Sequence, residues 1–160
     1  MIPVVSVVGY SNSGKTTLLV KIIKELKSRG VKVATIKHHH KDVDIDKPGK
    51  DTWRHTQAGA DTVVLASPAK VAIIENTPRE MSLDEITEKI SGVDIIITEG
   101  FKQEKKPKIE VYRSSVHEHL ITPVEELLAV ASDVEFAGIP CFDINEPGAL
   151  VEFLMDKYIR

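Results

Sequence analysis

Residues 9–16 have the types and spacing needed to bind phosphate, because they form a complete G-x-x-x-x-G-K-[ST] loop, GYSNSGKT. The apolar residues 2–8 before the loop predict a buried strand, and the apolar residues after it recur with helical spacing. Gly9 and Gly14 permit backbone angles at which consecutive N–H groups point into one concavity, and the helix adds its positive end. The segment therefore predicts a nucleoside triphosphate site.

Side chains of the same loop provide the rest of this chemistry. Lys15 is expected to reach the β- and γ-phosphates, and the Thr16 hydroxyl is expected to bind Mg²⁺. No residue is assigned a catalytic role. The predicted nucleotide-binding residues of the loop are Gly9, Ser11, Asn12, Ser13, Gly14, Lys15, Thr16 and Thr17.

A carboxylate ligand for magnesium is predicted at the end of another strand. Residues 95–98 form an apolar run that suits the centre of a parallel sheet, and Glu99 follows directly. Phosphate-loop proteins place their second magnesium-side carboxylate at such a strand end. The alternative is a glutamate that only caps the strand. Asp94 lies at the other end of the run and is a poorer candidate.

Polar segments elsewhere contain further candidate ligand contacts. The histidine triplet after strand 31–36 is interpreted as a ligand or partner contact, a metal site or a solvated loop. Asp51 is expected to reach a magnesium-bound water. Arg54 is expected to bind a phosphate through a bidentate hydrogen bond. The basic stretch 102–108 is interpreted as a contact surface or as solvated charge. The candidate contacts are Lys37, His38, His39, His40, Asp51, Arg54 and Lys102.

Base recognition has a weaker sequence signature. The N-K-x-D pattern of many guanine-binding proteins is absent, but Asp133 follows a late predicted strand. A carboxylate accepts from both N1–H and the 2-amino group of guanine, a donor pair that adenine lacks. Asp133 is therefore predicted to read guanine, with an ordinary loop aspartate as the alternative.

The composition limits the classes of partner. The formal net charge is −3, so no general electrostatic attraction to nucleic acid is expected. The single cysteine, Cys141, suits a reducing cytoplasm and is predicted to be buried in a core strand. No apolar run approaches the roughly 18 residues of a membrane span. The N-terminus has no basic leader, so we expect a cytoplasmic protein without a membrane partner.

Predicted strands and helices alternate along the chain, which indicates an α/β fold. Continuous apolar strands favour a mostly parallel central sheet between helical layers, the three-layer arrangement of a phosphate-loop NTPase. Residues 1–160 are predicted to form a single GTP-binding domain. Strands are predicted at 2–8, 31–36, 62–66, 71–74, 95–98, 108–113, 127–131 and 139–144. The strand at 108–113 is predicted to be half-buried or at a sheet edge, because polar and apolar residues alternate in it.

Several motifs occur together in a fixed order. They are GYSNSGKTT at 9–17, TIKHHH at 35–40, Asp51 with AGA at 58–60, TEGFK at 98–102 and ASD at 131–133. This pattern resembles the MobB family of molybdopterin-guanine dinucleotide biosynthesis adaptor proteins, and it covers most of the chain. TEGFK beside a phosphate loop is far more specific than the loop alone.

The resemblance implies a homodimer that binds GTP with Mg²⁺ and assists the guanylyltransferase that joins GMP to molybdopterin. It implies that Lys15, Thr16 and Glu99 serve the nucleotide and the metal. It also implies that the loop after Lys37 faces the ligand site, with molybdopterin itself as a further candidate ligand.

Other functions of a phosphate-loop protein stay open at this point. A small-molecule kinase is one, although the arginines are scattered along the sequence and form no paired-arginine lid. A nickel-delivery GTPase is another, suggested by the histidines, although no cysteine lies near them. No glutamine–arginine constellation is identified, so at most slow GTP hydrolysis is predicted.

Overall fold

A six-stranded parallel sheet forms the centre of the computed structural model, which describes residues 1–160. Its strand order is β2-β5-β1-β6-β7-β8, and every neighbouring pair is parallel. The mostly parallel sheet predicted from the sequence is confirmed. The strands are β1 Val4–Val8, β2 Val33–Lys37, β5 Ile95–Glu99, β6 Lys108–Tyr112, β7 Leu127–Ser132 and β8 Cys141–Asp143.

The chain divides into two compact units. Residues 1–38 and 86–160 form the first unit, which contains the six-stranded sheet, and residues 39–85 form the second. The second unit contains a short helix and an antiparallel hairpin, whereas helix α3 lies across the boundary between the units in sequence. These elements are α2 Asp51–Gln57, β3 Thr62–Ser67, β4 Lys70–Glu75 and α3 Leu83–Glu88. A single domain over residues 1–160 stays a prediction.

Two helices cover one face of the parallel sheet. Helix α1, Lys15–Ser28, and helix α4, Gly148–Tyr158, contact the same apolar cluster. The strands contribute alternate residues to it, as their period of two requires. The buried helical residues are Leu18, Leu19, Ile22 and Leu26 of α1 with Leu150, Val151 and Leu154 of α4. None of the helices has both the length and the apolar composition needed to cross a lipid bilayer.

Strand β6 differs from its prediction, because it lies between β1 and β7 and is buried throughout. Its apolar residues face the helical cluster, and its polar residues are satisfied on the other face. Lys108 pairs with Glu126 at 2.7 Å. The carboxylate of Glu110 accepts the N–H groups of Ile121 and Thr122 at 2.7 and 2.9 Å. The alternation marks a central strand with a polar, covered face, so both the edge and the half-buried assignments were wrong.

Two residue-level expectations also change. Lys108 belongs to this buried strand and is only 3% exposed, so it is not part of a solvated basic surface. Cys141 lies in β8 at the edge of the sheet and is half-buried rather than fully enclosed. An edge strand lacks a neighbour on one side, which explains its partial exposure.

The sheet brings several predicted site residues to one edge. Strands β1, β5, β6 and β7 are adjacent and parallel, so their carboxyl ends meet. The phosphate loop follows β1, Glu99 ends β5, and Asp133 follows β7. This is the edge at which open α/β sheets bind ligands.

Candidate functional site

The backbone of the phosphate loop is shaped to expose N–H groups. Gly9, Asn12 and Gly14 have φ angles of 143°, 62° and 97°. Gly14 is the N-cap of α1 and provides no side chain to cap the helix, and the first turn contains no acidic residue. The first amides of α1 are therefore left for an external anion.

Close packing around Gly9 fixes the position of the loop. A Cβ on Gly9 would lie 2.6 Å from the carbonyl oxygen of Val111 in β6, a distance that only glycine avoids. The Ser13 side chain is fully buried nearby, and its hydroxyl has no hydrogen-bond partner. A buried polar group without a partner is rare in folded proteins and fits a loop built around a polar ligand.

Lys15 folds back over its own loop. Its Nζ donates to the carbonyl oxygens of Gly9 at 2.9 Å and Tyr10 at 2.5 Å. Partial burial lowers the pKa of Lys15, whereas the charge of Glu99 opposes that shift. The ammonium is thus held at the mouth of the loop, beside the positions of the free amides.

Thr16 and Glu99 meet, as the sequence predicts for a shared metal site. The Thr16 hydroxyl donates to Glu99 Oε1 at 3.0 Å, across 83 residues of sequence. Lys37 Nζ lies 3.4 Å from the same oxygen. The register explains the contact with Lys37, since Lys37 of β2 pairs with Glu99 of β5.

These groups fit a magnesium ion. Hydroxyl and carboxylate oxygens are hard donors, and Mg²⁺ is usually bound by one or two protein ligands together with nucleotide phosphates. Thr16 and Glu99 would hold the ion beside Lys15. When bound, Mg²⁺ neutralises phosphate charge and orients the phosphate chain. Which atoms bind nucleotide and metal stays a prediction for every residue of the site.

The first two histidines of the triplet have different protein contacts. His38 donates its backbone N–H to the Glu99 carbonyl at 3.0 Å. Its ring stacks on that of Phe101, with the ring centroids 4.5 Å apart. The ring nitrogen Nδ1 of His39 is hydrogen-bonded to the backbone of Lys41. No three histidine, cysteine or carboxylate side chains gather as a metal site anywhere in residues 1–160.

The other candidate contacts lie on exposed segments. Asp51 and Arg54 are exposed on α2 of the second unit. Lys102 is exposed in the turn after β5, and Ser11 and Thr17 are exposed in and after the loop. Their contacts with ligands stay predictions.

Asp133 has a structural partner. Its two carboxylate oxygens accept the N–H and the hydroxyl of Ser114, each at 2.9 Å. The backbone hydrogen bond from Ser114 is the largest cause of a lowered Asp133 pKa, and the charge of Arg113 adds to it. The carboxylate therefore joins the segments that follow β6 and β7. Guanine recognition by Asp133 stays a prediction.

Sequence reasoning missed two contacts to the loop. Arg113 lies against Gly14, since a Cβ on that glycine would be 3.2 Å from the Arg113 Nε. Tyr10 stacks on His117, with ring centroids 3.8 Å apart. Arg113 directly follows β6, and its position there would have been evident if β6 had been placed beside β1.

Comparison with known proteins agrees with this geometry. The family model described as "Molybdopterin guanine dinucleotide synthesis protein B" matches residues 4–133. A curated "Molybdopterin-guanine dinucleotide biosynthesis adapter protein" of Haemophilus influenzae is 40% identical, covering 96% of this chain and 88% of that protein. The protein of the same name from Escherichia coli is 38% identical, covering 98% of this chain and 93% of that protein.

Solved structures give the same result. The crystal structure of Bacillus subtilis MobB superposes with a TM-score of 0.79 at 26% identity, covering 98% of each chain. A crystal structure of molybdopterin-guanine biosynthesis protein B superposes with a TM-score of 0.75 at 33% identity, covering 96% of this chain and 99% of the other. The parallel sheet, the phosphate loop and these matches over nearly the whole length together show that the chain belongs to the MobB family.

Proposed function

We propose that this protein binds GTP with Mg²⁺ and acts as an adapter for the guanylyltransferase that joins GMP to molybdopterin. The observation that most directly supports nucleotide binding is the contact of Thr16 with Glu99 at 3.0 Å beside the phosphate loop. The adapter role is supported by relatives of 38–40% identity that are named as adapters of molybdopterin-guanine dinucleotide biosynthesis. An adapter requires a partner enzyme in that pathway, and molybdopterin itself is a further candidate ligand.

Slow hydrolysis of GTP is part of the proposal. Fast hydrolysis requires a positioned water and neutralisation of the developing charge, in addition to phosphate binding. No residue of the described site is assigned to positioning water. We therefore expect turnover of the isolated protein below the common enzyme range of about 1–10³ s⁻¹.

A homodimer in the cytoplasm completes the proposal. Apolar side chains of the β3–β4 hairpin in the second unit are unusually exposed, for example Leu65 at 59% and Ile73 at 65%. Contiguous exposed apolar surface is typical of a protein–protein interface. The free thiol of Cys141 suits a reducing compartment.

The adapter role is tested in a reconstituted reaction of guanylyltransferase, molybdopterin, GTP and Mg²⁺. Adding the wild-type protein should increase the amount of molybdopterin guanine dinucleotide formed. Lys15→Ala protein, which keeps the sheet but lacks the loop ammonium, should increase it less. A yield that is the same with and without the wild-type protein would overturn the adapter role.

A further inference from the structure

The guanidinium of Arg113 is placed at the phosphate loop and makes no hydrogen bond there with the protein. The chain leaves β6 at Tyr112, so Arg113 emerges at the edge where the loop follows β1. A Cβ on Gly14 would lie 3.2 Å from Nε and 3.6 Å from Nη2 of Arg113. Within residues 1–160 the guanidinium makes no hydrogen bond or ion pair, and its charged neighbour is Asp133, whose pKa it helps to lower.

The other arginines of the first unit, Arg29 and Arg160, form ion pairs with carboxylates. Arg29 pairs with Glu25 at 2.8 Å and also with Glu152, and Arg160 pairs with Glu152 and with Asp156 at 3.2 Å. Unused donors beside a site built to bind an anion are expected to bind that anion, because the planar guanidinium matches phosphate oxygens.

A hydrogen-bonded clasp holds Arg113 in this position. Ser114, the next residue, donates both its N–H and its hydroxyl to Asp133 at 2.9 Å. Tyr112 and Ser132 are paired in the sheet, so Ser114 and Asp133 follow neighbouring strand ends. On the other side, the N–H groups of Val116 and His117 bond to the Arg113 carbonyl at 3.0 and 3.1 Å. The backbone at Arg113 is thus fixed from both directions.

We propose that Arg113 is a nucleotide-binding residue that donates to a phosphate oxygen of the nucleotide held by the loop, and that Asp133 positions it through Ser114. This inference rests on the proposed nucleotide binding. It assigns Asp133 a positioning role that is separate from reading the base. Arg113 and Lys15 then neutralise the phosphate chain together.

The test is a set of titrations of GTP, GDP and guanosine into wild-type and variant proteins. Arg113→Met keeps the apolar stem but removes the charge, and it should weaken GTP and GDP binding about tenfold or more. Guanosine, which lacks phosphate, should bind both proteins equally. Arg113→Lys should recover part of the loss. The matched control, Arg29→Met, removes an arginine whose partners are remote from the loop and should bind GTP as the wild type does.

The results that would contradict the proposal separate the role of Arg113 from nucleotide binding itself. GTP and GDP affinities of Arg113→Met within about twofold of the wild type would overturn the assignment, since a charged hydrogen bond contributes more than that. Equal losses for GTP, GDP and guanosine would show that Arg113 only supports the loop. A wild-type protein that binds neither GTP nor GDP would instead overturn the proposed function. If Arg113→Met fails to fold by circular dichroism, the comparison of Arg113→Lys with the wild type decides the question.

Discussion

At the residue scale, the contact between Thr16 and Glu99 defines the proposed metal site. The hydroxyl donates to Glu99 Oε1, and the Lys37 ammonium lies beside the same oxygen. An incoming Mg²⁺ would compete with Lys37 for this carboxylate. Because Lys37 is 63% exposed, its side chain is free to turn into solvent at little cost.

Thr16→Ala should weaken nucleotide binding mainly when Mg²⁺ is present, since the variant loses a metal ligand but retains the loop amides. The measurement is GTP affinity with Mg²⁺ and with a chelator. Ser28→Ala, which removes an exposed hydroxyl at the other end of the same helix, is the matched control. Equal losses with and without Mg²⁺ would contradict the role of Thr16 as a metal ligand.

Asp133→Asn distinguishes two roles of one carboxylate. If Asp133 reads guanine, the variant should lose GTP affinity and keep ATP affinity, because only guanine offers the N1–H and 2-amino donor pair. If Asp133 positions Arg113 through Ser114, both affinities should fall by a similar factor. The structure shows the contact that the second role requires, since both carboxylate oxygens accept from Ser114. Competition of GTP against ATP on the variant measures the ratio, and a selective loss of GTP would contradict the positioning role.

Some of these contacts were predictable from sequence and others were not. A glutamate at the end of an apolar strand follows a general rule for phosphate-loop proteins. The structure places Glu99 in contact with Thr16, whereas their metal binding stays a prediction. Arg113 was missed because an arginine after a strand is informative only once the strand order is known. That order depends on packing among strands distant in sequence, which local patterns do not encode.

At the element scale, the irregular segment after β6 acts as a cover for the polar face of that strand. Tyr112 donates its hydroxyl to the His117 carbonyl at 2.8 Å, and Lys108 pairs with Glu126. Glu110 accepts two backbone N–H groups between these points. The same segment places His117 against Tyr10 of the phosphate loop. The segment that covers β6 and the phosphate loop are therefore in direct contact.

Glu110→Ala should destabilise the protein, because the N–H groups of Ile121 and Thr122 lose their acceptor. A buried polar group left without a partner costs about 1–3 kcal/mol. Urea unfolding measures the change in the free energy of unfolding, and Glu118→Ala in the exposed part of the same segment is the control. A variant as stable as the control would contradict the anchoring role of Glu110.

Element positions were largely predictable, whereas the environment of β6 was not. The strand at 108–113 was located within a residue of its observed bounds, Lys108–Tyr112. The same alternation of polar and apolar residues arises from either of two environments. One is a solvent-exposed face, and the other is a face covered by hydrogen-bonded polar groups. Only the tertiary partners Glu126, Ile121 and Thr122 distinguish them, and these lie 11 to 18 residues away.

At the scale of the whole molecule, the second unit presents the surface proposed for self-association. Cross-strand neighbours Val64 and Ile73 are 53% and 65% exposed, and Val71 further along β4 is 65% exposed. An isolated two-stranded hairpin is only marginally stable in water, so covering this surface would stabilise it. A second copy of the chain is the proposed occupant.

Ile73→Asp should convert a dimer to a monomer, because a charge would be buried at the proposed interface. Light scattering at several protein concentrations measures the mass. Ile45→Asp introduces the same charge at a residue that is 78% exposed outside the hairpin, and it should leave the dimer intact. A wild-type monomer, or an Ile73→Asp dimer, would exclude the hairpin as the interface.

The central claim, that this protein binds GTP through its phosphate loop, is tested most directly by calorimetric titration of GTP and ATP with and without Mg²⁺. The account predicts that the wild type binds GTP more tightly than ATP and more tightly with Mg²⁺. Lys15→Ala should remain folded and lose at least about tenfold in GTP affinity, the effect of one charge-assisted hydrogen bond. Affinity of Lys15→Ala within about threefold of the wild type, or no GTP binding by the wild type, would contradict the account.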